Sequence, residues 1–156
     1  MKVIYNDGHV AECPEDEELH VIRHTAAHIL AQAVKRLYPD AHFAYGPATE
    51  KGFYYDVDLG DKKLSDEDLP AIEAEMAKIV KENLPIKPFV LSREEAVKLM
   101  EERGEKYKVE HIGDLPEDAV LSFYQQGEYI DMCVGPHLTY TKALKAFKLT
   151  QLSGAY

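Results

Sequence analysis

Apolar residues at Ile22, Ala26, Ile29, Leu30, Ala33 and Leu37 recur at three- and four-residue spacing, which predicts an amphipathic helix over 19–38 that stops at Pro39-Asp40. His24 and His28 are one turn apart on it, so both imidazoles can aim at one point. At roughly 100° per residue they fall nearly opposite the apolar stripe, so the pair is expected off the packing face, and a solvated polar face is the alternative.

Before this helix, 1–10 reads as two short strands joined at Asn6-Asp7-Gly8, followed by the acidic linker Glu15-Asp16-Glu17-Glu18. After it, 41–59 reads as two aromatic-rich strands, with Phe53, Tyr55 and Val57 on one face and Tyr54, Asp56 and Asp58 on the other. A capping box of Ser65 and Asp68 opens a helix over 66–83 whose core positions are Leu69, Ile72, Met76, Ile79 and Val80. A strand at 85–91 leads into a short helix capped at Ser92 and ended by Gly104. Residues 106–112 alternate in polarity and predict a strand, with further strands at 121–124 and 128–133. The fold class expected is α+β, an antiparallel or mixed sheet backed by helices, with the His-x3-His helix at the active cleft.

The 156 residues suit one domain, or one and a small appendage. No run is apolar enough to span a bilayer and the N-terminus lacks a signal-peptide core, so a cytoplasmic protein with no membrane partner is expected. Two cysteines, Cys13 and Cys133, favour free thiols over a disulfide framework. With 18 Lys and Arg against 28 Asp and Glu, the net charge is -10. Such a chain is a poor autonomous binder of nucleic acid, because phosphate contacts need clustered cations.

The second chemical cluster is Asp131-Met132-Cys133-Val134-Gly135-Pro136-His137. Gly135 and Pro136 disfavour a helix, so a turn must bring the Cys133 thiol and the His137 ring together. His24, His28, Cys133 and His137 offer three ring nitrogens and one sulfur. That set suits a tetrahedral zinc ion, and without metal the same groups suit water positioning and acid/base work. Sequence does not separate the two.

His24-Thr25-Ala26-Ala27-His28, Gly46-Pro47 with Gly52-Phe53-Tyr54-Tyr55-Asp56, Tyr107-Lys108-Val109, the 131–137 motif, and Phe147-Lys148-Leu149 with Ser153-Gly154-Ala155-Tyr156 resemble the N-terminal editing domain of bacterial threonyl-tRNA synthetases. The resemblance covers about 20–156. It implies an editing domain at 20–156, preceded at 1–19 by a hairpin and acidic linker resembling only the start of the family's TGS domain. By the same likeness the chain reads as a fragment, or as the product of a synthetase lacking most of its first domain, that stops where the aminoacylation domain would begin.

The related alanyl-tRNA editing domains typically bind zinc at the His-x3-His and Cys-x3-His elements, whereas the threonyl branch is described as working without it. The resemblance therefore implies no required cofactor, with zinc possible on His24, His28, Cys133 and His137. The implied activity is hydrolysis of mischarged seryl-tRNA(Thr), the partners being the tRNA(Thr) 3′ acceptor end and its serine moiety. Water would be positioned by some of His24, His28, Cys133 and His137. Lys108 would steady the oxyanion or polarise the water, Asp131 would fix the serine ammonium or orient a histidine, and Tyr55 would line the pocket. Val134 stands where the family often has Arg, and Lys142, Lys145 and Lys148 are candidates for guiding the acceptor end. The rival readings are a non-catalytic zinc-binding structural module and a free-standing alanyl-tRNA editing factor.

Overall fold

The structure, a computed structural model, describes residues 1–44, 46 and 48–150. Pro47 and the closing Ser153, Gly154, Ala155 and Tyr156 of the sequence motifs lie outside them. Among the described residues the chain is α+β with antiparallel pairing throughout, and its strands fall into three separate ladders.

The first ladder orders β2 (Val10–Glu12), β1 (Lys2–Ile4) and β8 (His137–Leu138). Gly8, at φ 91°, supplies the left-handed backbone of the β1–β2 turn. β1 pairs through Val3 with Leu138 and through Ile4 with His137, so strands more than 130 residues apart in sequence share one sheet. β3 (His42–Phe43) and β4 (Val57–Asp58) form a second, two-stranded ladder.

The third ladder orders β5 (Ile86–Ser92), β6 (Val120–Gln126) and β7 (Tyr129–Met132). β5 carries Pro88 and takes the edge, where its missing N–H disturbs no interior pairing. Period-two alternation sends Tyr124, Tyr129 and Asp131 to one face and Leu121, Phe123, Ile130 and Met132 to the other.

Two cores follow from this. Leu121 and Phe123 pack with Ala96, Met100 and Ile112 from α3 (Arg93–Glu102) and α4 (Lys106–Gly113). The opposite side holds α1 (Glu18–Leu37) and α2 (Leu69–Glu82), where Ile72, Met76 and Ile79 meet the Ala26, Ile29 and Ala33 stripe. The capping chemistry is as read from sequence: Asp68 Oδ2 accepts from Ser65 N–H at 2.8 Å, and Ser92 Oγ and Glu95 exchange bonds at the start of α3. Among the described residues no helix is long and apolar enough to cross a membrane.

Two expectations are corrected. Residues 106–113 form helix α4, not a strand, and the positions that face inward are Lys108 and Ile112, four apart. A lysine at a core-facing position hides the helical period and leaves Tyr107, Val109 and His111 to imitate alternation. The histidine face of α1 is also a packing face. Val21, Thr25, His28 and Gln32 form a second buried stripe, so the helix is enclosed on two sides. Two of its polar members are bonded from across the core: Gln32 and Gln126 bond through their side chains at 2.7 Å, and Thr25 Oγ1 accepts from Leu138 N–H at 3.1 Å.

Candidate active site

α1 presents His24 and His28, while β7 delivers Asp131 and runs into the turn that places Cys133 and His137 opposite them. The His24 and His137 rings lie 4.0 Å apart between centroids, and the His28 and His137 rings 4.3 Å. Cys133 Sγ is 3.3 Å from His137 Nε2, and the ligand atoms of His24, His28, Cys133 and His137 all fall within 4.8 Å of one another. The two motifs therefore meet. His137 is fully buried, and its Nδ1 is 2.9 Å from the Thr25 hydroxyl, which fixes the ring so that Nε2 faces Cys133.

Beside this cluster Lys108 Nζ reaches over from α4 to Asp131 Oδ1 at 3.0 Å, Tyr55 Oη at 3.0 Å and the Ala44 carbonyl at 3.4 Å. Asp131, 2 % exposed, also accepts from Tyr55 Oη at 2.5 Å, Tyr129 Oη at 3.0 Å and its neighbour Met132 N–H at 2.8 Å. Its carboxylate is thus held by four donors, and His28 Nε2 approaches it to 3.6 Å. Burial, reinforced by the neighbouring His24 imidazole and the Lys108 charge, pushes His28 well below the ordinary imidazole range, so this approach is a polar contact and not an ion pair.

Burial likewise lowers His24 and, with the neighbouring imidazoles, puts His137 well below its usual value. Burial first and the Asp131 charge second raise the Cys133 thiol and the Tyr55 phenol. Near neutrality the cluster is therefore three neutral imidazoles and a thiol beside one compact ion pair, a set able to accept a proton from water or hold one in place.

These shifts carry a pH dependence. Unfolded histidine titrates near 6.5, and His24, His28 and His137 titrate lower in the fold, so below about pH 6.5 the unfolded chain binds protons that the folded chain refuses. Stability is complete above that pH and is lost as pH falls toward the folded values, by up to about 1.4 kcal/mol per pH unit for each histidine. Thermal melts from pH 7.5 to 5 should show the midpoint falling below pH 6.5, and a level profile would contradict this burial of neutral imidazole.

The site opens on a cleft of about 890 Å³ whose wall includes His24, His28, Tyr55, Lys108, Asp131 and Cys133, with Leu115, Val120 and Val134 along it. Val134 is 75 % exposed at this rim. A smaller cavity of about 250 Å³, lined by Lys35, Phe43, Arg103 and Glu105, lies on the other flank of the Lys108–Asp131 pair. The cleft carries the cluster and is the better candidate for substrate. Of the three candidate guiding lysines, Lys148 pairs with Glu73 at 3.4 Å, while Lys142 and Lys145 are exposed. Tyr129 and Thr25 escaped the sequence reading. Tyr129 lies two residues from Asp131 on the same strand face, a period-two signal that was available.

For a metal, three imidazoles and one thiol are a donor set that zinc accepts, and bonds of about 2.0–2.3 Å place tetrahedral donors roughly 3.3–3.8 Å apart, a modest contraction from the separations here. Among the described residues His28 Nδ1 is buried without a hydrogen-bond partner, and His137 already has its outer nitrogen held by Thr25. The residues fit such an ion.

Residues 121–155, which contain all but the first residue of β6, then β7 and the Cys133–His137 turn, match the family described as the threonyl and alanyl tRNA synthetase second additional domain. The chain is 60% identical over 143 residues to the threonine–tRNA ligase of Clostridioides difficile (strain 630), covering 91% of this chain and 22% of that protein. The chain is a relative of the threonine–tRNA ligases. It is 58% identical over 142 residues to the ligase of Carboxydothermus hydrogenoformans, again over 91% of the chain and 22% of the relative. It aligns over its whole length, at 56% identity over 158 residues, with 25% of the ligase of Clostridium novyi (strain NT). The chain spans about a quarter of the length of these curated threonine–tRNA ligases.

Proposed function

We propose that the cleft hydrolyses the aminoacyl ester of seryl-tRNA(Thr), as the editing part of a threonyl-tRNA synthetase in the cytoplasm. The observation that supports this best is the convergence of His24, His28 and Cys133, backed by the buried His137, beside the Lys108–Asp131 pair at one open cleft. A synthetic site that accepts threonine cannot strongly reject serine, which lacks only a methyl, so a second hydrolytic site is needed. That site must exclude the extra methyl of threonine.

In this reading, water adds to the ester carbonyl while a neutral imidazole, with His24 the least buried of the three, takes its proton. The carbon–oxygen bond to the terminal ribose then breaks, the proton goes to the ribose oxygen, and serine leaves as the free acid. Lys108 steadies the negative oxygen that develops, and its three fixed partners hold it in place beforehand. Asp131, already engaged by four donors, orients Lys108, and Tyr55 lines the pocket. With a net charge of -10, the chain leaves most of the tRNA to be held by the rest of the synthetase.

The test is a deacylation panel with seryl- and threonyl-tRNA(Thr) and seryl- and glycyl-tRNA(Ala). Seryl-tRNA(Thr) is expected to be hydrolysed fastest, and His28→Ala and Lys108→Ala to slow it by about 100-fold or more. Wild-type rates in both variants would sink the assignment, and preference for the tRNA(Ala) substrates would make the domain an alanyl-type editing factor.

A second reading is supported by the donor set alone: His24, His28, Cys133 and His137 hold zinc as a structural module. A bound zinc ion would supply Lewis acidity at the cluster as well as cross-linking α1 to the turn. Metal content after purification, with melts before and after chelation, separates the readings: a metal-free fold that withstands chelation removes the structural module.

A further inference from the structure

The turn that carries Cys133 and His137 is tied to the first ten residues of the chain. Asn6 Oδ1 accepts from the Gly135 N–H at 2.9 Å and from the Tyr124 hydroxyl at 2.7 Å, contacts that span 129 and 118 residues of sequence. The β1–β2 turn does not need Asn6 for its own closure. It closes through Tyr5 and His9 backbone bonds, and Asp7 Oδ1 accepts the His9 N–H at 3.0 Å. The Asn6 side-chain oxygen thus reaches to the other side of the fold.

What it grips matters to the cluster. Tyr124 is buried with its ring 4.5 Å from the His137 ring, and Gly135 lies midway between Cys133 and His137. Strand pairing of Ile4 with His137 sets the same segment from behind. One side-chain oxygen therefore fixes both the backbone of the turn and the ring that backs His137. Buried supporting contacts of this kind hold reacting groups within the narrow tolerance that hydrolysis requires.

We propose that Asn6 is a positioning residue for the deacylation site, and that the N-terminal hairpin is a working part of that site and not a linker to it. The proposal rests on the deacylase reading for its kinetic readout, so a second readout independent of activity accompanies it. Asn6→Ala removes the acceptor, while Asn6→Asp keeps an oxygen at the same place for both donors.

In the kinetic arm, N6A is expected to lower kcat for seryl-tRNA(Thr) about tenfold with KM within about twofold, and N6D to stay within about threefold of wild type. In the chemical arm, a Cys13→Ala background leaves Cys133 as the sole thiol, and N6A is expected to raise its alkylation rate by iodoacetamide about fivefold or more while N6D restores it. Wild-type behaviour of N6A in both arms overturns the proposal, as does N6D failing to the same extent as N6A. If the wild-type chain hydrolyses no seryl-tRNA, the deacylase reading falls, and the alkylation pattern alone decides for or against Asn6.

Discussion

Lys108→Met is expected to lower hydrolysis of seryl-tRNA(Thr) by about 100-fold or more and to cost about 3 kcal/mol of stability, roughly 6–12 °C in melting temperature. The methionine stem fills the space of the lysine stem, so packing against α4 is little changed. What is lost is the ammonium that faces Asp131 at 3.0 Å, in a place where the carboxylate is 2 % exposed. Tyr55, Tyr129 and the Met132 N–H remain as donors, which holds the cost near the lower end for a broken buried pair. Adding Asp131→Asn to Lys108→Met removes the orphaned charge and should recover much of the stability but none of the rate. That split, read from thermal melts and deacylation of the same proteins, separates the structural from the catalytic part of the pair. A single variant with wild-type rate and lowered stability would confine Lys108 to structure.

Gly135→Ala should disable the site from its other side. A Cβ at 135 would lie 1.9 Å from the Tyr124 hydroxyl, 2.6 Å from the ring carbon that bears it and 3.0 Å from Asn6 Oδ1. Tyr124 cannot yield, because it is buried against the His137 ring, so the 133–137 turn must move. Overpacking of this kind costs about 1–3 kcal/mol, roughly 2–12 °C here, and carries Cys133 and His137 away from α1. A misplacement of about 1 Å is enough for a 100-fold loss of rate. Adding Tyr124→Phe to Gly135→Ala removes the nearest atom and should recover part of the stability. A wild-type melting temperature for Gly135→Ala would show the turn free to shift.

The sequence was most legible where local chemistry decides structure. The α1 and α2 apolar stripes, the capping boxes at Ser65 and Ser92, and the turn at Gly8 depend on neighbours within a few residues. The convergence of His24 and His28 with Cys133 and His137 could be anticipated because each pair has its own spacing. Reading failed where a contact from a distant part of the chain displaces the expected residue type. Lys108 occupies a core-facing helical position for the sake of Asp131, and so the 106–113 helix looked like a strand. His28 and Thr25 are polar on a buried stripe for the sake of His137, and so that face looked solvated. The Asn6 contacts left no local signal at all, since both partners are more than a hundred residues away.

The pairing of β1 with β8 has a consequence for the order in which the chain is made. Its first strand finds its inner neighbour only at His137 and Leu138, so a nascent chain emerging from the ribosome holds β1 without that partner until nearly all of the described fold has been synthesised. His24 and His28 wait equally long for Cys133 and His137. Closure of this sheet and completion of the cluster are therefore late events of the same folding step, and a ribosome stalled before residue 137 would carry a chain with its three imidazoles and thiol still in two halves.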